Sequence, residues 1–194
     1  LISKLTQRIV PEFWDAGIKL GQRVHTVRDA AASAILDPHL ASSLVHIRPL
    51  WGDDSLAAQL KTQFYRKVVR SRLRIFVDDC IAGRDEERTT HGATGQQLEP
   101  DIKKSLGSLR DVHLLQWVAF AHYQTSDIDS LRRKNVLTPD DAVRLKRGVE
   151  FLTRIRIDLH LNAGQANDIL SKDEQLRIAE VREIARVEGQ RPVE

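Results

Sequence analysis

The chain has 194 residues, 41% apolar, 29% charged and 5% aromatic, with 30 basic against 27 acidic side chains. That length holds one domain with a real core, or one domain and part of another. A formal charge of +3, with bases and acids alternating as in "KDEQLRIAEVREIARVEGQR", gives no segregated basic face, so nucleic acid is not an expected partner. Cys80 is alone, which excludes a disulfide framework and a thiolate metal site. No window approaches the roughly 18 uninterrupted apolar residues of a membrane span, and the N-terminus lacks the apolar core of a secretory signal. The expected compartment is the cytoplasm. The chain opens at Leu1 and contains no methionine, so it is expected to be a piece of a longer protein.

Leu1, Ile2, Leu5, Ile9 and Phe13 recur at three- and four-residue spacings and predict a helix over residues 1–16, with Pro11 inside it and Gly17 closing it. "IKLGQRVHT", residues 18–26, alternates apolar and polar side chains and predicts a strand. A lone strand needs partners, so residues 1–27 read as the last portion of an α/β domain. Two short helices follow, "VRDAAASAIL" and "PHLASSLVHIR", separated by Asp37-Pro38. Asp53 or Asp54 caps a long helix from Ser55 to about Ile81, with Gly83 near its end. Residues 83–106 show no periodicity, and a loop of that length is uncommon inside a compact domain unless functional or disordered. A helix over 109–123 comes next, then a short one capped by Ser126. "LTPDDAVRLKRGVEFLTRIRIDLHLNAG" carries Thr138 at the N-cap, Pro139 at the first helical position and Gly164 just past the end. A last helix spans roughly 172–187. The predicted fold is mainly α: a helical bundle over residues 28–188, an N-terminal helix–strand remnant over 1–27, and a tail over 189–194.

"SDIDSL" imitates the Asp-x-Asp metal pair of nucleotidyltransferases, with Gly107-Ser108 upstream. Such a pair works on a strand, where alternate side chains point the same way. Asp127 and Asp129 instead fall at a helix start, where residues two apart diverge by about 200°, so helix capping is the better reading. The histidines have no metal-ligand spacing, and there is no adjacent His-Asp dyad. "LEPDIKKSLGSLRDVHLLQW" is different. It gathers Glu99, Asp101, Lys103, Lys104, Arg110 and Asp111 around turn formers, more charge than a plain connector needs.

"HGATGQQLEPDIKKSLGSLRDVHLLQWVA" resembles the E-P-D-(I/V)-K…G-G-L-R-D…L-x-W signature of bacterial protein-PII uridylyltransferases. "FWDAGIKLGQRVHTV", "DPHLASSLVHIRPLWGD" and "LTPDDAVRLKRGVEFLTRIRIDLHLNAGQANDIL" are similar to further segments of that family in the same order, from residue 13 to about 180. The resemblance implies an enzyme that moves UMP from UTP to a tyrosine of the PII signalling protein, with Mg2+, and removes it again. It implies four parts: a nucleotidyltransferase domain, this helical region, a phosphohydrolase and two glutamine-sensing domains. This chain would hold the end of the first part and the second, with no catalytic residue of its own and most metal ligands elsewhere.

Within that resemblance, Lys103 and Arg110 are the candidates for UTP phosphates, a planar fork suiting Arg110. Asp101 is a candidate metal contact, and Glu99 or Asp101 a partner for Arg110. Asp111 is expected to pair with Arg154 or Arg156. Together with Gly107 and His160 these residues are expected to form one network, clasping the loop to the helix of Arg154, Arg156 and His160. Departures from the family pattern stand at Gln22, Arg23, His25, Ser108, Thr153, Gln165 and Ile169. They keep open a degenerate helical interaction module. The related glutamine synthetase adenylyltransferases are the other alternative.

Overall fold

Side-chain oxygens take over orphan backbone amides at the start of helix after helix. In the computed structural model, which describes residues 2–17, 21–91 and 97–181, α1 (Ile2–Asp15) is closed by Gly17 at φ +76. Thr26 caps α2 (Val27–Leu36), Asp37 caps α3 (Pro38–Leu44) and Asp53 caps α4 (Asp54–Phe64). Then come α5 (Leu73–His91), α6 (Leu109–Tyr123), α7 (Ile128–Arg133), α8 (Pro139–Ala163) and α9 (Lys172–Val181). Thr138 caps α8 and Gly164 ends it in the left-handed region, as the sequence implies. The cap of α7 is Asp127, whose carboxylate accepts from the Ser130 amide, rather than Ser126.

The molecule is mainly α, and no strand or sheet occurs among the described residues. Of the expected strand, residues 18–20 lie outside the described residues, and 21–26 run without a ladder into α2. The alternation there reflects an exposed segment, tied at Arg23 to Asp37 (3.1 Å). No described helix is long and apolar enough to cross a membrane.

The long helix differs most from expectation. Gly83 does not end it; the chain stays helical to His91, so the residues 83–91 assigned to a loop belong to α5. It is also interrupted by a π turn over Tyr65–Val69 and a 3-10 turn over Arg70–Arg72, with the Arg70 amide bonding the Tyr65 carbonyl. A regular helix would place Phe76 about 120° away from Phe64. One extra residue in the π turn subtracts about 100°, which returns Phe76 and Cys80 to the stripe of Phe64 and Val68. Those four residues are buried in one cluster with Val69, Phe120 and Ala121. Phe64 stacks on Phe120 with ring centroids 6.0 Å apart and meets Phe76 edge-on at 6.2 Å. Burial pushes the Cys80 thiol up to about 12, helped by Asp79, so it is an inert core group.

A second, smaller cluster (Ile102, Ile155, Leu159 and Ile178) joins the segment before α6 to α8 and α9. The two clusters lie to either side of the charged stretch. Phe64 is fully buried at the centre of the larger one. Phe64→Ala is expected to cost about 3–5 kcal/mol by lost transfer energy and cavity formation, read as a lower urea midpoint at unchanged m-value.

Candidate functional site

Residues 97–108 form an ordered turn system. Asp101 makes it: its Oδ1 accepts the Lys103 and Lys104 amides at 2.9 and 2.8 Å, and its own amide donates to Ser105 Oγ at 2.9 Å. The Ile102 amide donates to the Asp168 carbonyl and the Leu170 amide to the Pro100 carbonyl, both at 2.9 Å, an antiparallel bridge across to the α8–α9 connection. Glu99 reaches the same connection and accepts the Lys172 amide at the start of α9 (3.0 Å). It is a helix cap there, and Arg110 pairs with Glu87 instead. Asp101 is likewise engaged by backbone amides. Among the described residues no three His, Cys, Asp or Glu side chains gather as a metal site.

Gly107 turns the chain into α6 at φ +76, a backbone that favours glycine. Its amide donates to Asp111 Oδ2 at 2.6 Å. Ser108 sits at φ −89, an ordinary extended conformation, and its hydroxyl donates to the Lys103 carbonyl at 2.7 Å. The departure at Ser108 therefore strains nothing.

Asp111 does not pair with Arg154 or Arg156. Its Oδ1 accepts from Arg84 Nε at 2.7 Å and from Arg88 Nη2 at 2.9 Å, both on α5. Arg84 is 1% exposed, and its remaining nitrogens reach Glu87 (3.2 Å) and the Ser105 carbonyl (3.0 Å). Burial works against the Asp111 charge. Hydrogen bonds from Arg84, the Gly107 amide and Arg88 outweigh it and hold the carboxyl below its ordinary range.

The second ion cluster centres on Asp168. Arg156 Nε donates to its Oδ1 at 2.7 Å, His160 Nε2 lies 2.9 Å from the same oxygen, and Lys103 Nζ stands 3.9 Å from Oδ2. Here too burial opposes ionisation, and Arg156, His160 and Lys103 overcome it. Arg154 is outside both clusters: exposed and paired with Glu150, a turn away on its own helix. The expected single network is thus two, one on α5 and one on the α8–α9 connection. The loop's acids accept hydrogen bonds in these structures, while Lys103 and Arg110 meet carboxylates without hydrogen-bonding them. Arg110 Nε lies 3.3 Å from Glu87 but is not aligned for a hydrogen bond, and among the described residues its terminal nitrogens have no partner.

A cleft of about 610 Å³ opens between the end of α3, α5 and α6, with His46, Glu87, Arg110, His113 and Trp117 in its walls. The His113 ring packs between His46 (5.8 Å) and Trp117 (6.0 Å). Burial pushes His113 down to about 4, and the charges of Arg110, His46, Lys103 and Arg156 add to it.

Residues that sequence reasoning passed over are thus Arg84, Glu87, Arg88, His113 and Asp168. Arg84, Glu87 and Arg88 stand at helical spacings of three and four, a signal obscured once Gly83 is taken as the helix end. Asp168 lies past Gly164 and meets its partners only through the return of the chain.

Arg84→Met leaves half-buried Asp111 with only Arg88 and the Gly107 amide and is expected to cost about 3 kcal/mol. Arg110→Ala and Arg154→Ala are expected to cost about 0–1 kcal/mol each, since Glu87 keeps Arg84 and Arg154 is exposed. Urea melts of the three variants check the ranking. Acidification supplies a second measurement. Unfolded His113 takes up its proton near 6.5 and the folded residue only near 4, so stability is expected to fall as pH drops through that window. Asp111 and Asp168, held below the ordinary carboxylate range, extend the loss to lower pH. His113→Gln is expected to remove the upper part of the slope.

Comparison with known proteins agrees with the family resemblance. A family model described as GlnD PII-uridylyltransferase matches residues 76–194. A bifunctional uridylyltransferase/uridylyl-removing enzyme of Rhodospirillum rubrum is 34% identical over 179 residues, covering 92% of this chain and 19% of the relative. Enzymes of the same description from Azospirillum brasilense and Bradyrhizobium diazoefficiens are each 31% identical over 91% of the chain and 19% of their own length. The chain therefore spans about a fifth of the curated relatives it matches. No solved structure matches. With the loop signature ordered between α5 and α8, and relatives aligned along nearly all of its length, the chain belongs to the PII-uridylyltransferase family.

Proposed function

We propose that this chain is the helical region of a protein-PII uridylyltransferase, following the end of its nucleotidyltransferase domain, and that it serves UMP transfer from UTP to PII without being catalytic alone. The observation that carries the reading is the division of labour in residues 98–111. Glu99 caps α9, Asp101 builds the turn and Asp111 locks to Arg84, while Lys103 and Arg110 keep donor capacity. Phosphoryl and nucleotidyl transfer ask the protein mainly to position and neutralise phosphate charge. A rigid loop presenting a lysine and an arginine meets that need. The resemblance implies magnesium, with ligands mostly outside this chain.

The departures from the family pattern do not disturb this arrangement. Thr153 and Gln165 are exposed, and Ile169 contributes its backbone to the bridge with Asp101. Such positions tolerate change without loss of the loop, which favours a supporting region over a degenerate module.

The purified chain, incubated with UTP, magnesium and PII, is expected to transfer no UMP; transfer would place a catalytic centre among these residues. In a full-length protein containing the chain, Arg110→Gln is expected to raise the KM for UTP about tenfold with the fold unchanged. An unaltered KM would remove Arg110 from the nucleotide.

A further inference from the structure

The cations around His113 outnumber what their anchors can satisfy. Arg84, Arg88, Lys103, Arg110 and Arg156 share the carboxylates of Asp85, Glu87, Asp111 and Asp168. Each of the three nitrogens of Arg84 has an acceptor. The others are not equally served. Arg156 uses only Nε, and its terminal nitrogens have no partner among the described residues. Lys103 Nζ, at 3.9 Å from Asp168, makes no hydrogen bond to it. Arg110 Nε is buried without a hydrogen bond. These three come from three elements, yet they are tied to one place. The Arg110 amide bonds the Lys103 carbonyl at 2.9 Å, and Lys103 and Arg156 flank the same Asp168. His113, one turn beyond Arg110 on α6, opens onto the cleft with it. Neither imidazole nitrogen of His113 has a hydrogen-bond partner among the described residues.

Buried or half-buried donors without partners are uncommon in native structures and mark places where something else supplies the acceptor. A single carboxylate would satisfy one arginine fork. Three cations from three elements, backed by an imidazole, match an acceptor with several oxygens spread along a chain. Resting on the uridylyltransferase reading for the nucleotide's identity, we propose that Lys103, Arg110 and Arg156, with His113 beside them, form a binding site for the triphosphate chain of a nucleotide next to the α3–α5–α6 cleft, in whose wall Arg110 and His113 stand. Arg156 and His113 are the added members of the site. Asp79 and Glu86 stand on the α5 side of the cleft, with Glu87 and Arg84 behind Arg110, and His39 and His46 on the α3 side. The acids on α5 repel a polyanion and direct it toward α6. The site also carries its own reporter. The fields of Lys103, Arg110 and Arg156 disfavour the His113 imidazolium, and a polyanion lying on those cations reverses that field.

The test uses the whole chain and three probes: inorganic tripolyphosphate, UTP and uridine. Nuclear magnetic resonance follows the His113 ring protons through a pH titration. Tripolyphosphate and UTP are expected to shift them and to raise the His113 titration midpoint by about one unit or more, and uridine to do neither. Arg156→Gln and Lys103→Gln are each expected to weaken tripolyphosphate binding about five- to tenfold, while Arg154→Gln leaves it unchanged. UTP binding more tightly than tripolyphosphate would place the nucleoside in the cleft as well; equal affinity would confine recognition to the phosphates. The proposal is overturned if millimolar tripolyphosphate leaves His113 unmoved, or if Arg154→Gln weakens binding as much as Arg156→Gln. Either failure would leave the transfer assay and the UTP KM of Arg110→Gln untouched, so the uridylyltransferase reading stands or falls separately.

Discussion

A buried guanidinium holds the centre of this structure together. Arg84 sits on α5 with essentially no water and donates to Asp111 of α6, to Glu87 of its own helix and to the Ser105 carbonyl of the loop. Taking that charge out of water is costly, and only a full set of well-placed acceptors offsets it. The requirement propagates outward. Asp111 must be at the start of α6, which demands the Gly107 turn; Ser105 must offer its carbonyl, which demands the Asp101 turn before it. The loop's order is therefore a condition of burying Arg84. Residues around an interaction that must be complete leave little conformational freedom to the side chains they project.

That rigidity bears on chemistry. A phosphate-binding lysine or arginine is most effective when its direction is settled before the ligand arrives, because no reorganisation then opposes binding. Lys103 and Arg110 hang from a backbone pinned on one side by Asp111 and on the other by the bridge to Ile169. Their own carboxylate neighbours touch them from behind, at 3.9 and 3.3 Å, close enough to orient and too loosely placed to occupy every donor.

Much of this was readable from the sequence where local rules govern. Thr138, Pro139 and Gly164 bounded α8, and Asp37-Pro38 separated α2 from α3, because caps and prolines act within a few residues. The charged stretch stood out because its composition exceeded what a connector needs. Three things were not readable. The π turn at Tyr65–Val69 leaves no compositional mark; it shows only as drift in the apolar stripe, and it is enforced by packing against Phe120. Gly83 looked like a helix end because glycine commonly is one, whereas tertiary contacts of Arg84 and Arg88 carry α5 through it. The partner of Asp111 was misassigned for the same reason: an arginine on α8 was equally plausible by residue type, and only the fold decides between helices.

The π turn also sets how this region tolerates changes in length. A surface helix commonly absorbs a gained or lost residue by fraying at its end. Here one deletion within Tyr65–Val69 would turn the π turn into regular helix and leave everything beyond it in the same phase. Phe76 and Cys80 would stay on the core stripe and Arg84 on Asp111, whereas a second deletion would rotate all three by about 100°. The extra residue thus acts as a phase key, linking apolar packing at one end of a long helix to ionic chemistry at the other. Along this stretch lineages can lose one codon and keep both, while the loss of a second is closed to them unless a compensating insertion appears before Phe76.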